Sequence, residues 1–229
     1  MCGRYTLTAS PAAIQQAFGL DDVPAPYAPR YNIAPTQPVP VITNDNPRAL
    51  TWVTWGLVPS WSKDVSKAAQ LINARAETLE EKPSFRTAFK HRRCLVPADG
   101  FYEWRKDGKS KAPQYIHFRD RRVFALAGLW ERWVSPHGDE VLSCTIITTE
   151  PNALIQPMHH RMAVILQPED YATWLDKRTD LAAAKALLRP YPDDDSLTYH
   201  EVSPLVNNAR YDAPEMIEPV VPPQQTSLF

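Results

Sequence analysis

Residues 94–129 read CLVPADGFYEWRKDGKSKAPQYIHFRDRRVFALAGL, and this stretch decides the fold. Cys94–Pro97, Phe101–Arg105, Gln114–Phe118 and Val123–Leu129 are apolar or alternating runs, too short for stable helices and bounded by Pro, Gly or Asp. Between the second and third lies Lys106-Asp107-Gly108-Lys109, a hairpin signal because Asp-Gly tolerates positive φ. Consecutive antiparallel strands follow from that pattern. The same reading extends to Arg4–Thr8, Val39–Thr43, Leu50–Leu57, Val141–Thr149 and Met162–Leu166. With 23 prolines against 7 glycines in 229 residues, the chain favours short elements and stiff connections over long helices. Ser10, Pro11, Ile14, Phe18 and Gly19 spell an N-capped helix with proline in its first turn and a glycine stop. Further helices are expected at Ser84–His91, Pro168–Asp176 and Asp180–Arg189. The expected fold is α+β: one domain over residues 1–212, with a strongly curved or closed, mostly antiparallel β core and flanking short helices. The stretch 213–229, rich in Pro and Gln, is expected to be an extended or disordered tail.

Composition narrows the function classes. The formal net charge of −1 provides no global attraction to nucleic acid, yet residues 82–122 hold twelve Lys/Arg against four Asp/Glu. That basic stretch permits a nucleic-acid partner without requiring one. No apolar run is long enough to span a bilayer, and the start lacks the charged and apolar regions of a secretory signal, so a cytoplasmic protein without membrane attachment is expected. Cys2, Cys94 and Cys144 are odd in number and widely spaced, which argues against a disulfide framework and a zinc site alike. Cys94 and Cys144 sit in apolar strand-like runs and read as core. Only Cys2 is placed for reaction.

The chain opens Met1-Cys2-Gly3-Arg4. Initiator methionine is generally excised before a small residue, which would leave Cys2 with a free α-amine beside its thiol. In model peptides these titrate near ~7.7–8.0 and ~8.5, so both are expected to have a usable nucleophilic fraction at neutral pH without strong tuning. A terminal 1,2-aminothiol can form an imine with an aldehyde and then close a five-membered thiazolidine by adding sulfur to the imine carbon.

Three other segments place polar groups in apolar frames: 71–77, 99–104 and 158–162. Glu103, between Tyr102 and Trp104, is a carboxyl that aromatic neighbours could desolvate and so turn into a general acid near neutral pH; strand alternation could equally put it on a wet face. His159 and His160 precede a strand, so their side chains are expected to diverge, with only one facing a given pocket. Without a spaced third ligand they do not make a metal site, and no metal or cofactor is expected. Asn73 offers amide donors and acceptors, and Arg75 shares its face if the segment is extended. Trp52, Trp55 and Trp61 cluster around Gly56–Ser60; most tryptophans are core, but one beside proline on a loop can stack on unpaired bases. Tyr31-Asn32-Ile33-Ala34-Pro35 is a second candidate rim, because Asn and Pro resist both helix and central strand.

Taken in order, MCGRY, RYNIAPTQ, WGLVPSW, LINARAET, CLVPADGFYEW, TTEPN, HHRM and VSPLVNN resemble the SOS-response-associated peptidases, or SRAP domains, understood as abasic-site processing proteins. The resemblance runs from Met1 to about Asn208 and implies a pseudo-barrel β core, removal of Met1, and covalent capture of abasic sites in single-stranded DNA by the terminal cysteine. It makes Cys2 the nucleophile and assigns catalytic roles to Asn73, Glu103 and His159. Arg4, Arg75 and Arg161 match arginines that hold backbone phosphates. Asn32, Pro35 and Trp61 fall in segments at the DNA rim, and Thr148 matches a threonine near the lesion. His160 stands where some members have Asp. The implied partner is single-stranded DNA bearing abasic sites, bound by a monomer in the cytoplasm or on the nucleoid, with lyase activity when an imine escapes trapping by sulfur. Two other readings stand beside it: an amino-terminal-nucleophile peptidase acting on proteins, which uses the same residues, and a non-enzymatic single-strand binder, which explains the basic stretch and the tryptophans but gives Cys2 no purpose.

Overall fold

Alternation and turn chemistry in the central stretch produce the strands expected of them. The computed structural model describes residues 2–24, 27–66, 68–108 and 110–220. Strands are β1 (Tyr5–Leu7), β2 (Arg30–Ile33), β3 (Pro38–Thr43), β4 (Asn46–Trp55), β5 (Asn73–Arg75), β6 (Arg93–Ala98), β7 (Gly100–Asp107), β8 (Ser110–Phe118), β9 (Phe124–Val134), β10 (Glu140–Thr149), β11 (Met162–Ala163), β12 (Ile165–Leu166) and β13 (Leu197–Glu201). The helices are short: α1 (Pro11–Phe18), α2 (Arg86–His91), α3 (Tyr171–Leu175) and α4 (Leu181–Ala186). On α1 the Ser10 side chain accepts from Ala13 N–H, and Gly19 closes the helix at φ 62°.

Five strands close into a ring, β10–β4–β3–β6–β9 and back to β10. Every joint is antiparallel except β10–β4. Closure removes the free edges of that sheet. A second sheet runs β13–β8–β7–β1–β2. The chain crosses between the two sheets at Asp99, between β6 and β7. Its buried carboxylate accepts from the Thr6 and Thr8 hydroxyls and from Ala9 N–H, and its own N–H donates to Thr6 O at 3.0 Å. Gly100 follows because nothing larger fits: a Cβ there would lie 2.3 Å from the Tyr115 hydroxyl. The main core fills the ring with Ile42, Trp55, Phe89, Cys94, Leu126, Cys144 and Ile146, and extends to Cys2 and Tyr5.

Four features differ from the expectation. Arg30–Ile33 is a strand despite its Asn, because it lies on the sheet edge, where Asp212 accepts from the Tyr31 and Asn32 N–H groups. β13 is not among the expected strands: Leu197 is buried, Thr198 and His200 are half-buried, and Tyr199 and Glu201 face outward. Residues 162–166 break into two strands with different partners, β10 and β9. Residues 213–220 pack on the domain instead of trailing from it: Met216 is fully buried with Tyr102, Tyr115, Val202 and Val206, and Val220 N–H donates to Glu201 O at 2.9 Å. The rest of the expected tail, 221–229, lies outside the described residues. Among the described residues no helix is long and apolar enough to cross a membrane.

Candidate functional site

The second sheet carries the amino end into the molecule. β1 pairs antiparallel with β7, Tyr5 opposite Phe101 and Thr6 opposite Gly100, and Tyr102 N–H donates to Arg4 O at 3.0 Å. That ladder, continued toward the amino end, runs the chain alongside Glu103. Cys2 is fully buried. Its carbonyl accepts from Asn73 Nδ2 at 2.9 Å. Asn73 is delivered by β5, which lies parallel to β10 with Asn73 opposite Ile146 and Arg75 opposite Thr148. Asn73 Oδ1 is buried without a hydrogen-bond partner.

Glu103 is only 2% exposed, and burial pushes its carboxyl up to about 7. Burial, and then the Glu103 carboxylate, push the Cys2 thiol up to about 12. With Met1 attached, the Cys2 sulfur is thus a protonated thiol at neutral pH; the expectation of an untuned thiol concerned the terminus freed of Met1. Cys94 and Cys144 are free and buried in the core.

His159 Nδ1 lies 2.9 Å from the Arg161 backbone nitrogen and 3.0 Å from the Arg161 carbonyl oxygen, so the Arg161 backbone fixes the orientation of the ring. Burial holds this imidazole below its usual pKa. The His159 and His160 rings do not diverge. They stack at 4.4 Å between centroids, 27° apart, because residues 153–158 form turns and strand alternation does not begin until Met162. Both histidines line a cavity of about 480 Å3 together with Glu103, Trp104, Lys106 and Lys111.

The remaining candidate residues spread around this centre. Arg4 Nη1 donates to Asn32 Oδ1 and to Val206 O, each at 2.9 Å. Asn32 is fully buried, and its amide holds the carbonyls of Val206, Asn208 and Tyr211. Arg161 forms a bidentate pair with Glu77 at 2.7 and 2.8 Å and donates to Thr148 O at 2.6 Å. Thr148 is buried, its hydroxyl directed to Ala74 O. Arg75 is exposed, Pro35 is half-buried, and Trp61 is 60% exposed. Trp55 is core, its Nε1 donating to Ile72 O at 2.9 Å. The structure thus gathers Cys2, Asn73, Glu103 and His159 at one centre and puts Arg75 and Trp61 on the surface. Sequence reading missed Lys106 and Lys111 as cavity residues, although both lie in the basic stretch that signalled them. Asp99 opens the segment 99–104 singled out in the sequence, but its role at the crossing was hidden because its partners Thr6 and Thr8 are remote in sequence. Among the described residues no group of three or more His, Cys, Asp or Glu is arranged to hold a metal ion.

A buried Cys2 whose carbonyl is held by Asn73 and whose thiol feels the Glu103 carboxyl, beside a small β ring, defines the class. The family model of the SOS response associated peptidase (SRAP) matches residues 1–209, and the chain belongs to that family. It is 45% identical over 223 residues to abasic site processing protein YoqW of Bacillus subtilis, covering 95% of this chain and 99% of that one. It is 31% identical over 267 residues to abasic site processing protein HMCES of Xenopus tropicalis, covering 96% and 79%. A crystal structure of a protein from Bacteroides thetaiotaomicron superposes with a TM-score of 0.85 at 28% identity, covering 96% of this chain and 100% of that one.

Proposed function

We propose that the protein processes abasic sites in single-stranded DNA, capturing the lesion covalently on the amino terminus of Cys2. Its relatives' names point to the lesion, and the residues around Cys2 supply the chemistry. Hydrolysis of the Met1–Cys2 bond, assisted by Glu103, releases methionine and frees the α-amine. An abasic deoxyribose is mostly a closed hemiacetal, and its ring-opened aldehyde is the electrophile. The α-amine adds to the aldehyde carbon, and the resulting hydroxyl leaves as water with a proton from Glu103, giving an iminium ion. Cys2 Sγ then adds to that carbon, its proton passes to the Glu103 carboxylate, and a neutral thiazolidine remains.

A carboxyl near 7 suits both transfers, because it can give and regain a proton at neutral pH. The high thiol pKa orders the steps: nitrogen attacks first, and sulfur reacts once iminium charge and carboxylate stand beside it. Asn73 orients the terminus, and His159 steadies the imine and assists reversal. Arg4, Arg75 and Arg161 pin flanking phosphates, with Pro35, Trp61 and Asn32 shaping the rim and Thr148 the floor. Holding the strand makes condensation effectively intramolecular, an alignment that contributes on the order of 7–11 kcal/mol at best. An imine that escapes sulfur can lose the 3′ phosphate by β-elimination, which is lyase activity. The observation that carries this reading is the Asn73 hydrogen bond to the Cys2 backbone beside a carboxyl raised by burial.

Denaturing gels of protein with an abasic oligonucleotide, read with intact-mass spectrometry, provide the test. The expected product is a heat-stable adduct on a chain lacking Met1, absent for Cys2→Ala. Adduct formation by Cys2→Ala, or undiminished capture by chains that keep Met1, overturns the assignment. Release of peptides from unrelated proteins would favour a peptidase, and binding without adduct a passive single-strand binder.

A further inference from the structure

Two of the three arginines expected to meet phosphates are already engaged within the protein. Arg4 is tied to Asn32 and Val206, and Arg161 to Glu77 and Thr148. In the lining of the cavity the situation is reversed. Lys106 on β7 and Lys111 on β8 are direct cross-strand partners, both exposed. Both line the cavity with Glu103 and His159, and Lys111 is close enough to bear on the charge of His159. Like charges directly opposite in an antiparallel pair destabilise it. Arg105, their neighbour on β7, pairs with Glu201; among the described residues neither lysine has a carboxylate in ion-pair reach.

A hairpin that keeps two facing ammonium groups unneutralised at the mouth of a reactive cavity is placed to share an anion between them. We infer that Lys106 and Lys111 form a phosphate site that holds a backbone phosphodiester of the strand next to the captured nucleotide. This rests on the reading that the cavity takes single-stranded DNA. Lysine acts there as a point charge without fixed fork geometry, which suits a backbone that must pass through during capture. The hairpin would supply affinity at one flank, and exposed Arg75 would supply it elsewhere.

The test is equilibrium binding of single strands that carry one tetrahydrofuran abasic analogue, which lacks the aldehyde and fixes the register, and one neutral methylphosphonate at a successive position around it, by wild type and by the double variant Lys106→Gln/Lys111→Gln. Lys177→Gln/Lys185→Gln, whose lysines pair with Asp45 and Glu80, serves as the control for net charge. Wild type and control are expected to lose about three- to tenfold in affinity at one flanking position. The double variant should be insensitive there, with a salt slope shallower by about 0.7. Its thermal stability should be equal or higher, because the like-charge pair is gone. Equal sensitivity of wild type and double variant at every position overturns the site while leaving the proposed function standing. No binding of any strand by wild type overturns both.

Discussion

Asn73 spends one half of its side chain on Cys2 and keeps the other half idle: Nδ2 donates to the Cys2 carbonyl at 2.9 Å, while Oδ1 is buried with no partner. Leaving a buried acceptor unmet costs roughly 1–3 kcal/mol. A group that will donate to Oδ1 during the reaction, an amine or a sugar hydroxyl, recovers that cost where it counts. Asn73→Ala is therefore expected to slow single-turnover adduct formation by about tenfold to a hundredfold. Its thermal stability should change little. An unchanged rate would leave Asn73 with a purely structural role.

Glu103 ties stability to pH. Its carboxyl titrates near 7 in the fold and near ~4.3 when unfolded, so the folded state holds the proton longer. The sign follows: stability is greatest below the unfolded value and falls as pH rises toward 7, because a buried carboxylate must be ionised. The whole effect is on the order of 3 kcal/mol. Glu103→Gln is expected to flatten this part of the stability-against-pH curve, to be more stable than wild type at pH 8, and to lose adduct formation. Chemical denaturation across pH 4–8, paired with gel assays, checks both halves.

Arg161 and Glu77 are a partly exposed bidentate pair that holds the Glu77 carboxyl below its usual range. Glu77→Gln releases Arg161 and removes a negative charge near the strand path, so affinity for undamaged single strands is expected to rise several-fold, with a steeper salt dependence. Arg75→Ala should do the opposite, making the salt slope shallower by about 0.7. Fluorescence anisotropy over a salt series measures both, and unchanged slopes would remove the phosphate roles.

Met216 is fully buried against the Tyr102 and Tyr115 side of the second sheet. Met216→Ala is expected to destabilise the protein by about 2–5 kcal/mol, and ending the chain at 212 should cost at least as much. Tyr102 donates its hydroxyl to the carbonyls of Tyr31 and Met216, next to Glu103 on β7. Adduct formation should weaken together with stability in these variants. Thermal melts and single-turnover assays made side by side check this.

Local chemistry carried most of the fold into the sequence. The Ser10–Gly19 helix, the Asp-Gly hairpin and the strand runs of 94–129 all depend on neighbours within a few residues. What was hidden depends on distant partners. Arg30–Ile33 is a strand because Asp212 satisfies its edge, and Met216 is buried because the second sheet offers a floor. The site was legible as residue types, Cys2, Asn73, Glu103 and His159, yet not as electrostatics. Desolvation of the Cys2 thiol arises from three-dimensional packing, and the stacking of His159 on His160 arises from a turn where strand alternation was assumed.

The pairing of Tyr5 with Phe101 sets a timetable. During synthesis the first strand leaves the ribosome with no neighbour on that side until the middle of the polypeptide has emerged. For that interval Cys2 is open to solvent; afterwards it is buried. Under the proposed function, translation speed would then divide the removal of Met1 between enzymes that meet the open nascent chain and the protein's own Glu103.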